Sequence, residues 1–142
     1  MRYLQTTICC LLLAAGLQAN NISVADVSLM GQDEQSGTTQ IQFDLSWENS
    51  WRISVGPANY DAAWVFAKFR VNGGVWRHAT LTDNGAVAAP GSVIDIHDNV
   101  GAFIYRQSDG SGDVSWDDLQ LRWDYGTDNV DDNAIVDIQV FA

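Results

Sequence analysis

The stretch Thr39 to Glu48 constrains the fold more than any other part of the chain. Ile41, Phe43, Leu45 and Trp47 occupy every second position, and Gln40, Gln42, Asp44, Ser46 and Glu48 fill the positions between. A period of two places one set on each face of a strand, so this segment is a half-buried strand with one solvated face. Leu119, Leu121, Trp123 and Tyr125 repeat the pattern against Gln120, Arg122 and Asp124. No stretch beyond residue 19 keeps a helical apolar period over ten residues, so an all-β fold is expected.

Strands are predicted over 22–30, 39–48, 62–71, 75–82, 92–97, 101–107, 119–125 and 134–141. They are separated by turn clusters such as Asn72-Gly73-Gly74, Asp83-Asn84-Gly85, Pro90-Gly91 and Asp109-Gly110-Ser111-Gly112. About eight strands with short connections imply an antiparallel two-sheet β-sandwich, with a closed barrel as the alternative. Trp47 and Trp123, each in an alternating apolar set, are expected in the core. Around Asn72-Gly73-Gly74 a two-residue turn would set Arg70 opposite Arg77, and like charges directly opposed are destabilising. A three-residue turn with Gly74 left-handed instead pairs Val71 with Val75, Ala67 with Ala79 and Val65 with Leu81, and brings Arg70 opposite Trp76.

The first nineteen residues read as a secretory signal: Arg2 is the positive end, Ile8 to Leu17 the apolar run, and Ala19 the small residue at the cleavage point. The run is about half the ~20 residues that a spanning helix needs, so cleavage near Asn20 is expected rather than stable membrane insertion. The mature chain, residues 20–142, suits one domain and would act in the periplasm, at the cell surface or outside the cell. Both cysteines, Cys9 and Cys10, fall inside the signal, which removes disulfides and thiolate chemistry from the mature part. Without Arg2, six Lys and Arg remain against eighteen Asp and Glu, a net charge of −12. Nucleic acid and anionic lipid are therefore poor partners. All six Trp lie in the mature part, where a domain without disulfides has a structural use for large aromatic side chains.

No catalytic constellation stands out, and the chain reads as a non-enzyme with no cofactor. His78 and His97 are the only histidines, no G-x-S-x-G turn is present, and nothing identifies a serine to accompany His97 and Asp98. A glycosidase would need two carboxylates at a defined separation beside a sugar-sized cleft, for which a domain of this size leaves little room. Asp109, Asp113, Asp117 and Asp118 form one acidic region, and Asp128, Asp131 and Asp132 another. Their oxygens suit calcium, and Asp109, Asp113, Asp131 and Asp132 are the weak metal candidates. Neither group has EF-hand spacing, and Asp in Gly-rich turns commonly caps backbone N–H groups.

The runs Phe43-Asp44-Leu45-Ser46-Trp47-Glu48-Asn49-Ser50-Trp51-Arg52 and Asn59-Tyr60-Asp61-Ala62-Ala63-Trp64-Val65-Phe66-Ala67-Lys68-Phe69 carry a family resemblance, with Trp76-Arg77-His78-Ala79, Gly101 to Arg106 and Leu121 to Gly126 in support. Together they resemble the β-rich N-terminal accessory region of secreted bacterial formylglycine-generating-enzyme-like (sulfatase-modifying-factor) proteins. Such proteins continue into an enzyme-like domain, whereas this chain stops at Ala142, so the resemblance implies an accessory domain without the oxidase chemistry. The last apolar strand, reaching the final residue without a polar tail, adds the expectation that the chain is cut at a domain boundary.

With the three-residue turn, one face of the hairpin carries Trp64, Phe66, Lys68, Arg70, Trp76 and His78. Lys68, Arg70 and Arg77 are half of the mature cations, gathered within ten positions. This face is the candidate docking site, unless the second sheet or the Trp51–Asn59 loop covers it. The first functional expectation is a non-catalytic accessory or interaction domain whose partner is a downstream or separate enzyme-like domain. The alternative is a carbohydrate-binding sandwich, in which aromatic rings stack on sugars.

Overall fold

A computed structural model describes residues 20–142; the expected signal sequence and both cysteines lie outside the described residues. The fold is the expected all-β, antiparallel two-sheet sandwich, and among the described residues it has nine strands. They are β1 (Ser23–Asp33), β2 (Thr38–Ile53), β3 (Asn59–Tyr60), β4 (Ala63–Val71), β5 (Arg77–His78), β6 (Ser92–His97), β7 (Gly101–Arg106), β8 (Gly110–Asp124) and β9 (Val136–Phe141). In sheet A, β2 is central, with β8 on one edge and β1 and β3 on the other. In sheet B, β4 is central, with β9 on one edge, β5 and β7 on the other, and β6 beyond β7.

The alternating residues of β2 and β8 meet those of β4 and β7 between the sheets. Ile41, Phe43, Leu45, Leu119, Leu121 and Trp123 face Ala63, Val65, Ala67, Phe69, Ala102 and Ile104, all buried. Phe69 of β4 and Trp123 of β8 pack with ring centroids 4.6 Å apart. Trp47 and Trp123 are both buried, and each indole N–H is held by a carboxylate. Trp47 Nε1 donates to Asp61 at 2.8 Å and Trp123 Nε1 to Asp128 at 2.6 Å. Asp61 also accepts from the Ser50 hydroxyl and the Trp51 N–H, and Asp128 from the N–H and hydroxyl of Thr80. A buried donor without a partner is costly, so these two acids are part of the core's polar accounting.

Bulges set the strand lengths. Along β2 and β8 the register slips once at Asp117 and Asp118 and once at Glu48 and Asn49, where one strand carries an extra residue. Each slip reverses which parity points inward. The buried set therefore jumps from Trp116 to Leu119 on β8 and from Trp47 to Ser50 on β2. This corrects two expectations: β2 runs on to Ile53, and β8 begins at Gly110 rather than at Leu119. β1 carries two further bulges, between Ala25 and Ser28 and between Met30 and Asp33.

The hairpin after β4 departs from expectation in two ways. Its left-handed residues are Asn72 (φ 50°) and Gly73 (φ 69°), not Gly74, and the Gly74 N–H donates to the Val71 carbonyl at 2.9 Å. This is a two-residue Asn-Gly turn of the primed type. An extra residue then restores the expected pairing, with Lys68 opposite His78 and Phe69 opposite Arg77, while Val75 stands 81% exposed. The second difference is that β5 is only two residues long instead of running to Thr82. After Ala79 the chain leaves sheet B and follows the free edge of β8, with Leu81 bridged to Trp123 and Val87 to Gln120. Val65, the expected partner of Leu81, pairs with Ala102 of β7.

Candidate functional site

Strand β4 divides its side chains between two environments. Ala63, Val65, Ala67 and Phe69 enter the core, so Trp64, Phe66, Lys68 and Arg70 project from the opposite, outer face of sheet B, each half-buried among its neighbours. His78 lies across from Lys68 on the same face, its ring 5.3 Å from Phe66. Trp76 lies under the Arg70 guanidinium at 4.8 Å. The six residues expected on one hairpin face are thus gathered, and that face points away from sheet A.

Neighbouring strands enlarge this surface with residues that sequence reasoning missed. Register places Phe141 of β9 beside Phe66, where the two rings stack at 5.1 Å with an 11° interplanar angle. Phe103 of β7 lies beside Trp64 at 4.8 Å, and His97 of β6 closes the row at 6.5 Å from Trp64. Phe103 is 40% and Phe141 37% exposed, so the ring surface reaches solvent. Trp64 has room to lie flat because its ring crosses Gly101. A Cβ on Gly101 would stand 2.5 Å from Trp64 Cζ2 and 2.8 Å from the Val65 carbonyl oxygen. The aromatic row therefore depends on a glycine in the strand beneath it.

Charged groups punctuate the row. Arg70 is held by Asp137 at 2.7 Å, opposite it on β9, as well as by Trp76. Lys68 extends beside Phe141, with its ammonium 5.8 Å from the ring centroid and Gln139 opposite. Beyond Phe103, Tyr105 stacks on Tyr60 at 4.6 Å, and the Arg52 guanidinium lies 5.0 Å from the Tyr60 ring and 5.5 Å from Tyr105. Burial raises the Tyr105 phenol above its ordinary pKa, with Tyr60 and Asp95 acting in the same direction and Arg52 against them. The end of β2 and the short β3, paired at Arg52 and Tyr60, thus bring these two residues to the margin of the face; in the loop between them Ser54 is tied through hydroxyl and N–H to Asp109.

The carboxylates of Asp109, Asp113 and Asp132 have protein partners, whereas Asp131 is bonded through its backbone carbonyl. Asp109 caps Ser54, and Asp113 accepts from the Asn49 N–H at 3.1 Å. Asp132 accepts from the Tyr125 hydroxyl at 2.7 Å, and the Asp131 carbonyl accepts from the Ala134 N–H. Among the described residues, no group of three or more His, Cys, Asp or Glu side chains is placed to hold a metal ion. His97 and Asp98 approach to 3.2 Å on the exposed edge of the face, with Trp64 and Phe103 as the ring neighbours of His97. A separate cleft of about 420 Å³ opens at the seam between β1 and β9, lined by Leu29, Met30, Thr39, Trp123, Tyr125 and Val136 among others. The Tyr125 hydroxyl on its wall is already bonded to Asp132 and Gln32.

Comparison with known proteins finds no matching family model, no similar curated protein and no similar solved structure. Function must therefore be argued from the face itself.

Proposed function

We propose that this chain is an exported, non-catalytic accessory domain that binds polysaccharide through the outer face of sheet B. The observation that carries this reading is the row of rings formed by Trp64, Phe103, Phe66 and Phe141 on the solvent side of a sheet whose other side is core. Exposed apolar patches commonly mark interaction sites. Sugar rings suit it, since their apolar faces stack on aromatic side chains while flanking polar groups take the hydroxyls. Gln139, Lys68 and Asp95 stand beside the rings in that role. From Trp64 to Arg70 the strand covers about 20 Å, at ~3.3 Å per residue, enough for several sugar units in line. The first nineteen residues support export, and the resemblance to accessory regions of secreted proteins supports a role beside another activity.

Native affinity electrophoresis tests this reading. The protein is expected to be retarded in gels containing a soluble polysaccharide, and Trp64→Ala together with Phe103→Ala should abolish retardation while the far-UV circular dichroism is kept. Failure of every polysaccharide to retard the protein, with specific capture of a formylglycine-generating-enzyme-like domain by the same face, would replace the glycan with a protein partner.

A further inference from the structure

Resting on that reading, we infer that the glycan is acidic, and that Lys68 receives a carboxylate or sulfate of the sugar seated on Phe66 and Phe141. Three observations converge on Lys68. First, it stands at the middle of the face, with the Phe66–Phe141 stack on one side and the Arg70–Trp76 pair on the other. Second, its charge is uncommitted. Asp137, on the neighbouring strand, is bound to Arg70, and the ion pairs among the described residues are Arg70 with Asp137 and His97 with Asp98, neither involving Lys68. Its cross-strand neighbours, Gln139 and His78, supply no carboxylate. Third, the ammonium stands beside the ring on which the sugar would stack. The Phe141 ring lies 5.8 Å away, and a cation beside a ring keeps its attraction for an anion on its open side.

Local charge complements an acidic ligand here although the mature chain is strongly acidic as a whole. Lys68, Arg70 and Arg52 are half of its six cations and all lie on or beside this one face. The acids of this same face are Asp137, neutralised by Arg70, and Asp95, across from Phe103 on β6, and charges beyond about 8 Å are screened at physiological ionic strength, so an anionic group at Lys68 feels that ammonium first. A neutral chain would leave a lysine partly desolvated by the stacked sugar with no counter-charge, which disfavours it. The face therefore selects for charge as well as for ring shape.

The test uses the protein produced from the full chain and ligands matched in all but charge. Affinity electrophoresis is run in polygalacturonate, its fully methyl-esterified form, dextran sulfate and dextran. Binding to an acidic polymer should exceed binding to its neutral counterpart by about tenfold, the scale expected of a charge-assisted hydrogen bond. Polygalacturonate and dextran sulfate separate carboxylate from sulfate. In Lys68→Gln the acidic-to-neutral ratio should fall towards one. Equal retardation by charged and neutral members of both pairs overturns this inference and leaves polysaccharide binding intact. A ratio unchanged in Lys68→Gln overturns the assignment to Lys68, and retardation by none of the four polymers fails the underlying reading as well.

Discussion

Gly101→Ala isolates the geometry that the candidate face depends on. The added methyl would stand 2.5 Å and 2.9 Å from two carbons of the Trp64 ring and 2.8 Å from the Val65 carbonyl oxygen. The ring can swing away, but the carbonyl belongs to β4, paired with β7 at this level, so the strand itself must shift. Overpacking of this kind costs about 1–3 kcal/mol, and replacing glycine in a strand returns ~0.5–1 kcal/mol of chain entropy. The net loss should be about 1–2 kcal/mol, a fall in Tm of roughly 4–8 °C for a domain of this size. Urea and thermal unfolding measure it. A double-mutant cycle with Trp64→Ala adds a second readout, because once Gly101→Ala has displaced the ring its removal should cost at least ~0.5 kcal/mol less than in the parent protein. A neutral or stabilising Gly101→Ala, or strict additivity of the two substitutions, would show that Trp64 does not lie across Gly101.

Chemical unfolding of Phe69→Ala should show a loss of about 3–5 kcal/mol, as for a buried aromatic, whereas Trp64→Ala and Phe103→Ala on the open face should each cost ~1 kcal/mol or less. Asp128→Ala strands the Trp123 indole N–H and two Thr80 donors, and thermal unfolding should register a loss of about 2–4 kcal/mol. On the acid side, the Ser36 hydroxyl and N–H hold the Asp33 carboxyl below its ordinary 3.8, and Ser54 does the same for Asp109. A carboxyl whose folded pKa is depressed contributes stability that is present above the unfolded value and is lost as pH falls through the folded one. Tm measured from pH 5 down to pH 2 should accordingly fall less steeply in Ser36→Ala and Ser54→Ala than in the parent protein.

The period-two alternation made the fold class and the inward faces of β2, β4 and the end of β8 legible, because it reports directly on which side of a strand is buried. It could not report partners. The route of residues 80–89 along the edge of β8, and the pairing of β9 with β4, join segments far apart in sequence that local pattern does not connect. Where a bulge inserts a residue the alternation breaks, and the first half of β8 looked like an acidic loop because Asp117 and Asp118 occupy the slip. The same limits governed the site. Trp64, Phe66, Lys68, Arg70, Trp76 and His78 share one hairpin, so local register sufficed to group them. Phe103, Phe141 and His97 arrive on other strands and emerged only with the sheet order. Asp128, grouped in sequence with possible calcium ligands, instead serves a core tryptophan five residues away.

The two bulges in β1 bear on how copies of this protein meet one another. An exposed outermost strand with evenly spaced N–H and C=O groups invites the strand of a second molecule to dock alongside, the first step towards fibrous aggregates. β1 is eleven residues long and mostly exposed, which makes it such an invitation. Its extra residues at Asp26–Val27 and Gly31–Gln32 break the row into three short runs, each too brief to hold a foreign strand in register. With no cysteine among residues 20–142 to fasten the sheets covalently, those two interruptions keep this edge of sheet A from becoming a template.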